Sequence, residues 1–426
     1  MTISRRGLST LYGYRKLSSH TQKKLVPALD RKVSIPEPEY DVEYLSNPAN
    51  RDEISDNIER RKRIGNIDKI LELSGKPGDR VGLLKELAMI PNKTAPGIHE
   101  YGNEPRVLSE CGTRRKFDFS PLPFNLLAKK LGLTRVEDLG PIAGERSYIL
   151  LGDLAQMEEA LVQYSVGKLL GHGFRLVSVP DILPTKIIER CGTVVDRESN
   201  LIYSLDSHYG DDLSLSGTAE IALASKLMDT EIPADKLPLK LAAVSRCYRA
   251  EISNIAEERG LYRVHQFTKV EMFGCCGRND SSQFMEELRA IQQDLFSDLG
   301  LHYKVLDMPA HELGAPAYRK LDIEGWLPGR QQYGELSSCS DCTDYQSRRL
   351  NIKYKTDDGR SLHAHTLNGT ACAIPRMLIA ICETNQTSIG EIVVPEKLLQ
   401  YMNGKTVIGK QPIAPMRDYK YRQKNL

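Results

Sequence analysis

The sequence predicts an α+β fold, in which an antiparallel sheet is flanked by helices and preceded by a short helical hairpin. Two strand-like runs, rich in β-branched and aromatic residues, lie on either side of the polar connector 252–260. Apolar residues recur at helical spacing in two long segments, 154–170 and 281–299. A shorter helical pattern begins at Asp52, breaks at 74–79 and then resumes, as a helical hairpin would. At 426 residues, the chain is long enough for one large domain plus this appendage.

The two predicted strands bring charged and aromatic side chains onto shared faces. Residues two apart in a strand lie on the same face, so Arg249 shares a face with Glu251. Phe267, Lys269 and Glu271 share a face on the second strand. If both faces line one cleft, it offers a guanidinium for phosphate oxygens, a ring for a base, and carboxylates for an amine or a metal. A half-solvated sheet with cross-strand ion pairs fits the same residues, so this stretch alone leaves both interpretations open.

The net charge of +2 is unevenly distributed along the chain. Residues 1–29 contain six basic residues and no acidic ones, which leaves a net charge of −4 for the rest. An acid-free start that contains Arg, Ser and Thr is typical of a mitochondrial transit peptide, to which we assign residues 1–32. A disordered basic arm that contacts RNA would have the same composition. No apolar run approaches the length of a membrane span, and we expect none.

The nine cysteines indicate a reducing compartment, because their number is odd and their spacing is irregular. Cys339 and Cys342 have the spacing of a metal-ligand pair. The sequence contains no second such pair to complete a zinc site, so we interpret these two as a structural or incidental pair.

Four stretches of the chain together resemble the motifs of one family. Arg249-Ala-Glu, a polar loop and the run RGLYRVHQFTKVEMF resemble motif 2 of the class II aminoacyl-tRNA synthetases. Residues 171–180, predicted as a helix end, a strand and a terminal proline, resemble motif 1, and residues 365–376 resemble motif 3. A block at 335–349, ELSSCSDCTDYQSRR, has no generic structural reason to occur. In detail these motifs are similar to those of the serine–tRNA ligases, particularly the mitochondrial branch, and the resemblance covers about 91–402.

The resemblance implies a class II synthetase-type sheet and a reaction in two steps. Serine's carboxylate attacks the α-phosphate of ATP, and the seryl group then moves to the 3′ end of tRNA(Ser), here for mitochondrial translation. The implied cofactors are ATP and Mg²⁺, the other substrates L-serine and tRNA(Ser), and the implied location the mitochondrial matrix. The family dimerises through motif 1, so we expect a homodimer or a heterodimer with a related synthetase subunit. The expected regions after the transit peptide are a short tRNA-binding hairpin at 45–92, a catalytic domain at 118–404 and a basic tail at 405–426.

The resemblance also assigns site residues. It makes Arg249 and Arg376 the catalytic residues. The implied ATP-binding residues are Arg249, Ala250, Glu251, Val264, Phe267, Glu335, Leu336, Ser337, Ser338 and Arg376. The implied serine-binding residues are Thr218, Ala219, Glu220, Glu271 and Thr370. Glu335 and Ser338 are the expected contacts of Mg²⁺ with ATP. Thr218 and Glu220 would also suit an ordinary helix N-terminus, where a hydroxyl cap and an acidic first turn are favoured.

The hairpin and the function each leave a second interpretation open. The basic run 60–63 would suit phosphate contacts, but residues 51–90 hold nine basic and eight acidic side chains, so a solvated helix face fits as well. The hairpin is also shorter than the arm of the family. The alternative function is a catalytically silent paralogue that acts as an RNA-binding or assembly subunit. The motif arginines and the serine-binding carboxylates are all present, which favours the enzyme.

Overall fold

A computed structural model describes residues 34–76, 78–136, 143–144, 146–193, 201–210, 212–251 and 260–411. The predicted transit peptide, most of the motif 2 loop and most of the basic tail lie outside the described residues. Strands in the described part are β1 (Arg106–Cys111), β2 (Thr134–Arg135), β3 (Ile149–Leu150), β4 (Arg175–Leu176), β5 (Ile182–Pro184), β6 (Tyr203–Ser204), β7 (Leu213–Leu215), β8 (Thr230–Pro233), β9 (Leu239–Tyr248), β10 (Gln266–Cys276), β11 (Tyr303–Asp307), β12 (Arg319–Leu327), β13 (Gln332–Asp341), β14 (Ile352–Lys355), β15 (Ser361–His363), β16 (His365–Ala373), β17 (Ile392–Val393) and β18 (Val407–Ile408).

Helices in the described part cluster before the first strand and between the later strands. They are α1 (Val42–Leu45), α2 (Arg51–Arg60), α3 (Ile67–Ser74), α4 (Arg80–Met89), α5 (Phe124–Leu131), α6 (Asp153–Gly171), α7 (Thr185–Arg190), α8 (Ala219–Lys226), α9 (Ser281–Asp298), α10 (Tyr345–Leu350) and α11 (Ile374–Thr384). The two long helices and the strand pair around the polar connector are therefore present as predicted.

An eight-stranded sheet organises the fold, with strand order β1–β11–β12–β13–β16–β10–β9–β4. Neighbouring strands are antiparallel except for the edge pair of β4 and β9, which is parallel. Smaller sheets are formed by β15–β14–β8, β5–β7–β6, β17–β18 and β2–β3. This confirms the predicted α+β class with a large antiparallel sheet.

The two faces of the central sheet differ in character because side chains alternate along each strand. Val270 and Met272 of β10 point into the main apolar core, which they share with helices α6, α9 and α11. Lys269, one residue away on the other face, contacts Thr218 at the start of α8. The helices thus cover one face, and polar side chains collect on the opposite face beside α8.

The N-terminal helices differ from the predicted two-helix hairpin. The first predicted helix is interrupted between α2 and α3, where Gly65 adopts a left-handed φ of 110°. Asn66 then caps α3 by accepting a hydrogen bond from the backbone N–H of Lys69. Helices α2, α3 and α4 enclose a small apolar core of their own, formed by Ile54, Ile58, Ile67, Ile70, Leu87 and Ile90. We call residues 45–92 the N-terminal module.

The basic run 60–63 does not form a free cationic face. Arg61 is only 5% exposed, and its guanidinium donates to the carbonyls of Asn92, at 2.7 Å, and of Gly314. Burial lowers the pKa of Arg61 to about 10. Arg60 and Arg63 pair with acids one turn earlier on α2, at 2.6 Å and 3.1 Å. The run therefore serves largely for internal contacts, and Arg61 connects the module to the loop at Gly314 in the rest of the fold.

Asn92 makes a second fastening at the end of the module. Its Nδ2 lies 2.8 Å from the carbonyl of Pro316 and 2.9 Å from both Cys342 O and Thr343 Oγ1. Its backbone N–H donates to Ala315 O at 2.8 Å. Since the amide can donate only two hydrogens, the three acceptors share them. The module is therefore docked on the part of the fold that carries the central sheet.

The described residues contain neither a candidate membrane span nor a candidate metal cluster. No helix among them is both long and apolar enough to cross a bilayer. Cys339 and Cys342 are buried free thiols, and the described part of the chain holds no cluster of three or more metal-ligating side chains.

Candidate active site

A cavity of about 160 Å³ opens on the polar face of the central sheet. Strands β10, β13 and β16, the segments that flank the motif 2 loop, and the starts of α8 and α11 form its walls. Its lining residues are Thr218, Glu220, Arg249, Glu251, Tyr262, Arg263, Val264, Phe267, Lys269, Glu335, Leu336, Ser337, Ser338, Asn368, Thr370, Ala373, Pro375 and Arg376. Most of the residues predicted from motifs 2 and 3 thus meet in one place.

Arg249 lies just beyond the end of β9, held by its own main chain. Its backbone N–H donates to His265 O at 2.9 Å, which keeps the two segments paired past the sheet. Its guanidinium stands 5.3 Å from the ring centre of Phe267, and its Nε lies 3.4 Å from Gly217 O. Among the described residues, no carboxylate lies within 4.0 Å of this guanidinium. The cross-strand ion pair that would explain Arg249 structurally is not found there.

Arg376 lies in the first turn of α11, after Pro375, whose fixed φ suits a helix start. Its guanidinium is 4.6 Å from the ring centre of Tyr262 and 3.2 Å from Glu335 Oε2. Burial raises the pKa of Glu335, but the positive charges of Arg376 and Lys320 outweigh it, so the pKa lies below its ordinary value. Glu335 is therefore ionised at neutral pH. Tyr262 stood in the motif 2 run without a predicted role, and only the fold reveals its contact with Arg376.

Four consecutive residues of β13, Glu335 to Ser338, reach the cavity in different ways. The pairing with β12 shifts by one residue between Ile323 and Glu324, which places an extra residue in β13. Leu336 sends its side chain into the apolar core. The Ser337 hydroxyl donates to Thr370 O and accepts from Gln292 Nε2 at 2.7 Å. That hydroxyl is therefore committed to the protein interior, whereas Glu335 and Ser338 remain half-exposed.

A second group of polar residues surrounds the start of α8. Thr218 is the N-cap of this helix, and its hydroxyl accepts from the backbone N–H of Glu220 at 3.3 Å. Lys269 donates to the same hydroxyl at 2.8 Å and forms an ion pair with Glu271. Lys269 is 5% exposed and Glu271 is fully buried, so the ammonium separates this carboxylate from the cavity. Strand parity placed Lys269 beside Glu271, but it did not reveal the bridge to Thr218.

Glu220 differs from Glu271 in its electrostatics. Burial, with a further contribution from the charge of Glu271, raises the pKa of Glu220 to about 7. Gln346 on α10 donates a hydrogen bond to Glu220 Oε1. Glu220 can therefore change its charge near neutral pH, and an incoming cation would favour its ionised form.

Three residues of the predicted set do not line the cavity. Ala219 is buried in the first turn of α8, and the backbone N–H of Ala250 donates to Leu201 O at 2.9 Å. Glu271 lies behind Lys269, as described above. Conversely, Asn368 of β16 lines the cavity two residues from Thr370. The arrangement combines arginines for phosphate oxygens, rings for a base, and carboxylates with hydroxyls for a small amine.

Comparisons with known proteins agree with this geometry. A profile for the tRNA synthetase class II core domain (G, H, P, S and T) matches residues 203–385. The chain is 42% identical over 349 residues to the mitochondrial serine–tRNA ligase of Mus musculus, covering 80% of this chain and 67% of that protein. It is 44% identical over 317 residues to the Bos taurus mitochondrial enzyme, covering 74% of this chain and 61% of that protein.

Solved structures with the same fold also belong to this group. Seryl-tRNA synthetase from Pyrococcus horikoshii, complexed with ATP, aligns with a TM-score of 0.72 and 28% identity, covering 87% of this chain and 90% of that one. Cytoplasmic serine–tRNA ligase from Naegleria fowleri, in complex with AMP, aligns with a TM-score of 0.77 and 26% identity, covering 88% and 100%. With the motifs gathered around one cavity and this degree of identity, the chain belongs to the serine–tRNA ligase family of class II aminoacyl-tRNA synthetases.

Proposed function

We propose that this protein activates L-serine with ATP and transfers the seryl group to tRNA(Ser). The observation that carries the proposal is the meeting of two groups of residues in one cavity. Arg249 offers a cation to phosphate oxygens and Arg376 a planar cation to the adenine, while Glu220 offers an acceptor to an ammonium group, with Thr218 beside it. Relatives named serine–tRNA ligase, and a seryl-tRNA synthetase structure with ATP bound, support the same assignment.

In the first step, an oxygen of serine's carboxylate forms a bond to the α-phosphorus of ATP. The bond from that phosphorus to the bridging oxygen breaks, and pyrophosphate leaves with the electron pair. Arg249 would stabilise the negative charge that grows on the α-phosphate, because its guanidinium has no carboxylate partner among the described residues. Phe267 and Arg376 would hold the adenine between a ring and a planar cation. No side chain needs to act as the nucleophile, so positioning and electrostatics suffice.

The residues at the β13 side fit a hard divalent cation. Glu335 is anionic and half-exposed, Ser338 lies in the same cavity wall, and Mg²⁺ prefers a few oxygen ligands in addition to substrate phosphates. Glu335 and Ser338 would hold Mg²⁺, which would shield the charge of the ATP phosphates. The Arg376 contact at 3.2 Å would keep the Glu335 side chain oriented.

Serine selectivity would come from hydrogen bonds in the α8 region. Glu220 would accept from the substrate ammonium, with Thr218 beside it, while Glu271 would neutralise the ammonium of Lys269, which would otherwise repel the substrate. Thr370 would contact the substrate hydroxyl. A site that hydrogen-bonds a substrate hydroxyl rejects the analogue without it by ~10⁴-fold or more, because its polar groups are left unpaired.

Serine-dependent exchange of pyrophosphate into ATP, measured on the purified protein, tests the proposal. We expect exchange with serine and at least ~10⁴-fold lower kcat/KM with alanine. Complete absence of exchange, from protein with a cooperative melting transition, would favour the silent paralogue instead.

We further propose that the N-terminal module contacts tRNA, that motif 1 mediates a dimer, and that the catalytic domain spans about 118–404. Three exposed cations of the module, Lys62, Arg80 and Lys85, are suited to phosphate contacts. Their joint replacement by Ala should weaken aminoacylation and leave pyrophosphate exchange unchanged. Equal loss of both steps would contradict the assignment of tRNA contact to the module. Light scattering on the purified protein would test the dimer through its molar mass.

We also propose that the protein works in the mitochondrial matrix. Support comes from the mitochondrial relatives and from the basic, acid-free composition at the start of the chain. A fluorescent reporter fused to residues 1–32 should enter the matrix. Cytosolic or nuclear fluorescence would contradict the proposal.

A further inference from the structure

Gln346 is a fully buried amide that lies directly behind the cavity without lining it. It belongs to α10, and its side chain lies between Glu220 and Thr366. A buried amide is costly unless its donors and acceptor are all used, so its partners define its role.

The orientation of this amide follows from the chemistry of its neighbours. An ionised Glu220 can only accept hydrogen bonds, so the amide must turn its NH₂ group toward that carboxylate. The amide oxygen then faces Thr366 Oγ1 at 2.7 Å, and the hydroxyl must donate to it. Glu220 thus excludes the flipped amide, which would bring two oxygens together there, and Thr366 satisfies the amide oxygen in the orientation that remains.

The helix that carries Gln346 is firmly held. The Ser347 hydroxyl donates to Ala364 O, and the carbonyl of Arg349 accepts from Arg190 Nη1 on α7 at 3.0 Å. Backbone hydrogen bonds also join the turn before the helix to the strand of Thr366, from Cys342 N to Thr366 O and from Thr366 N to Thr343 O, both at 2.9 Å. The donor aimed at Glu220 is therefore supported by elements that do not depend on substrate.

We infer that Gln346 is a positioning residue of the serine subsite, whose amide holds Glu220 in the orientation that receives the substrate's ammonium group. The bond occupies Oε1 and so directs Oε2 toward the cavity as the oxygen for the ammonium. It also favours the ionised carboxylate against the effect of burial. This inference rests on the proposed function, because it takes Glu220 to be the ammonium ligand.

Replacement of Gln346 by Met tests the inference, since Met has a similar length and no donor. We expect KM for serine to rise ~10-fold or more, with kcat and KM for ATP changed less than ~3-fold, because one charge-assisted hydrogen bond to Glu220 is lost. The rise should be larger below neutral pH, where an unsupported Glu220 is protonated. Thr366→Val, which removes only the hydroxyl that fixes the amide, should raise KM for serine by a smaller factor.

Gln386→Met provides a matched control. Gln386 is also a buried glutamine, but its amide exchanges hydrogen bonds with the main chain of Leu122. Neither Gln386 nor Leu122 lines the cavity. We expect Gln386→Met to lower Tm and to leave KM for serine unchanged. If Gln346→Met does not fold, the comparison is made with Thr366→Val.

The exchanged pair Glu220→Gln with Gln346→Glu separates positioning from stability. It restores an amide–carboxylate hydrogen bond but moves the charge away from the cavity, so Tm should recover relative to Gln346→Met while KM for serine remains high. Recovery of serine affinity along with Tm, or equal effects of Gln346→Met and Gln386→Met on KM for serine, would overturn the inference. Absence of serine-dependent exchange in the unmodified protein would contradict the proposed function instead, so the two failures are distinguishable.

Discussion

Replacement of Arg249 by Ala should reduce catalysis strongly and stability only slightly. In the structure, the guanidinium has two contacts that the substitution would remove, the Phe267 ring at 5.3 Å and Gly217 O at 3.4 Å. A cation–π contact at a partly exposed site contributes ~0.5–1 kcal/mol, and a hydrogen bond of this length adds little. We therefore expect a loss of ~1 kcal/mol in the free energy of unfolding, which for a chain of this length lowers Tm by only about 1–2 °C.

The catalytic effect should be larger because the guanidinium is free to bind developing negative charge. Loss of one preorganised donor to a transition-state oxygen typically costs ~10²–10³ in kcat. Arg249→Lys should recover little of this loss, since an ammonium cannot reproduce two parallel hydrogen bonds. Pyrophosphate exchange at saturating serine and ATP, together with thermal melting, measures both quantities.

Arg246→Ala is the matched control, because Arg246 lies on β9 three residues before Arg249 but is half-exposed and 3.7 Å from Glu158. It should leave kcat near its normal value. A fall in Tm of ten degrees or more for Arg249→Ala, with kcat reduced no further than in Arg246→Ala, would refute the catalytic interpretation.

Three further predictions concern buried charges. KM for serine should fall as pH rises through about 7, because only the ionised Glu220 attracts an ammonium and the pKa of Glu220 is raised to about 7. Glu220→Gln should abolish this dependence between pH 6 and 8. Arg61→Met should lower the free energy of unfolding, measured with urea, by ~2 kcal/mol or more, because buried carbonyls lose their donor. The control Arg60→Met, which removes an exposed ion pair, should lower it by less than ~1 kcal/mol. Glu271→Gln should destabilise the fold by ~3–5 kcal/mol and raise KM for serine, since Lys269 would stay buried without its partner and its ammonium would repel that of serine. Adding Lys269→Met removes that charge, so it should restore much of the stability in urea and much of the serine affinity.

Local patterns were enough to predict two neighbouring strands of the central sheet, β9 and β10, and two of its covering helices, α6 and α9. Alternation along β9 and β10 and helical spacing in α6 and α9 are properties of neighbouring residues, and burial of one face follows from them. Thr218 is likewise an N-cap, as its residue type favours. The resemblance to a family then indicated which residues would meet, and the fold places most of them around one cavity.

The remaining features depend on contacts between distant segments, which periodicity does not encode. The helical pattern that begins at Asp52 continues through Arg61, but the fold buries Arg61 against the loop at Gly314 and turns the chain at Gly65. The link from Gln346 to Glu220 spans 126 positions in the sequence. Tertiary contacts therefore override local propensity at both places.

The docking of Asn92 determines where the length of the chain can change. A protein that starts after residue 92 would lose the amide shared by Pro316, Cys342 and Thr343, and would expose the body surface that Arg61 now covers. At the opposite end of the module, the turn between α3 and α4 is exposed in the described residues 75, 76, 78 and 79. Inserted residues there would extend both helices into solvent with only a small entropic cost. Arms of different lengths can thus be attached through the same contacts without altering the cavity on the central sheet.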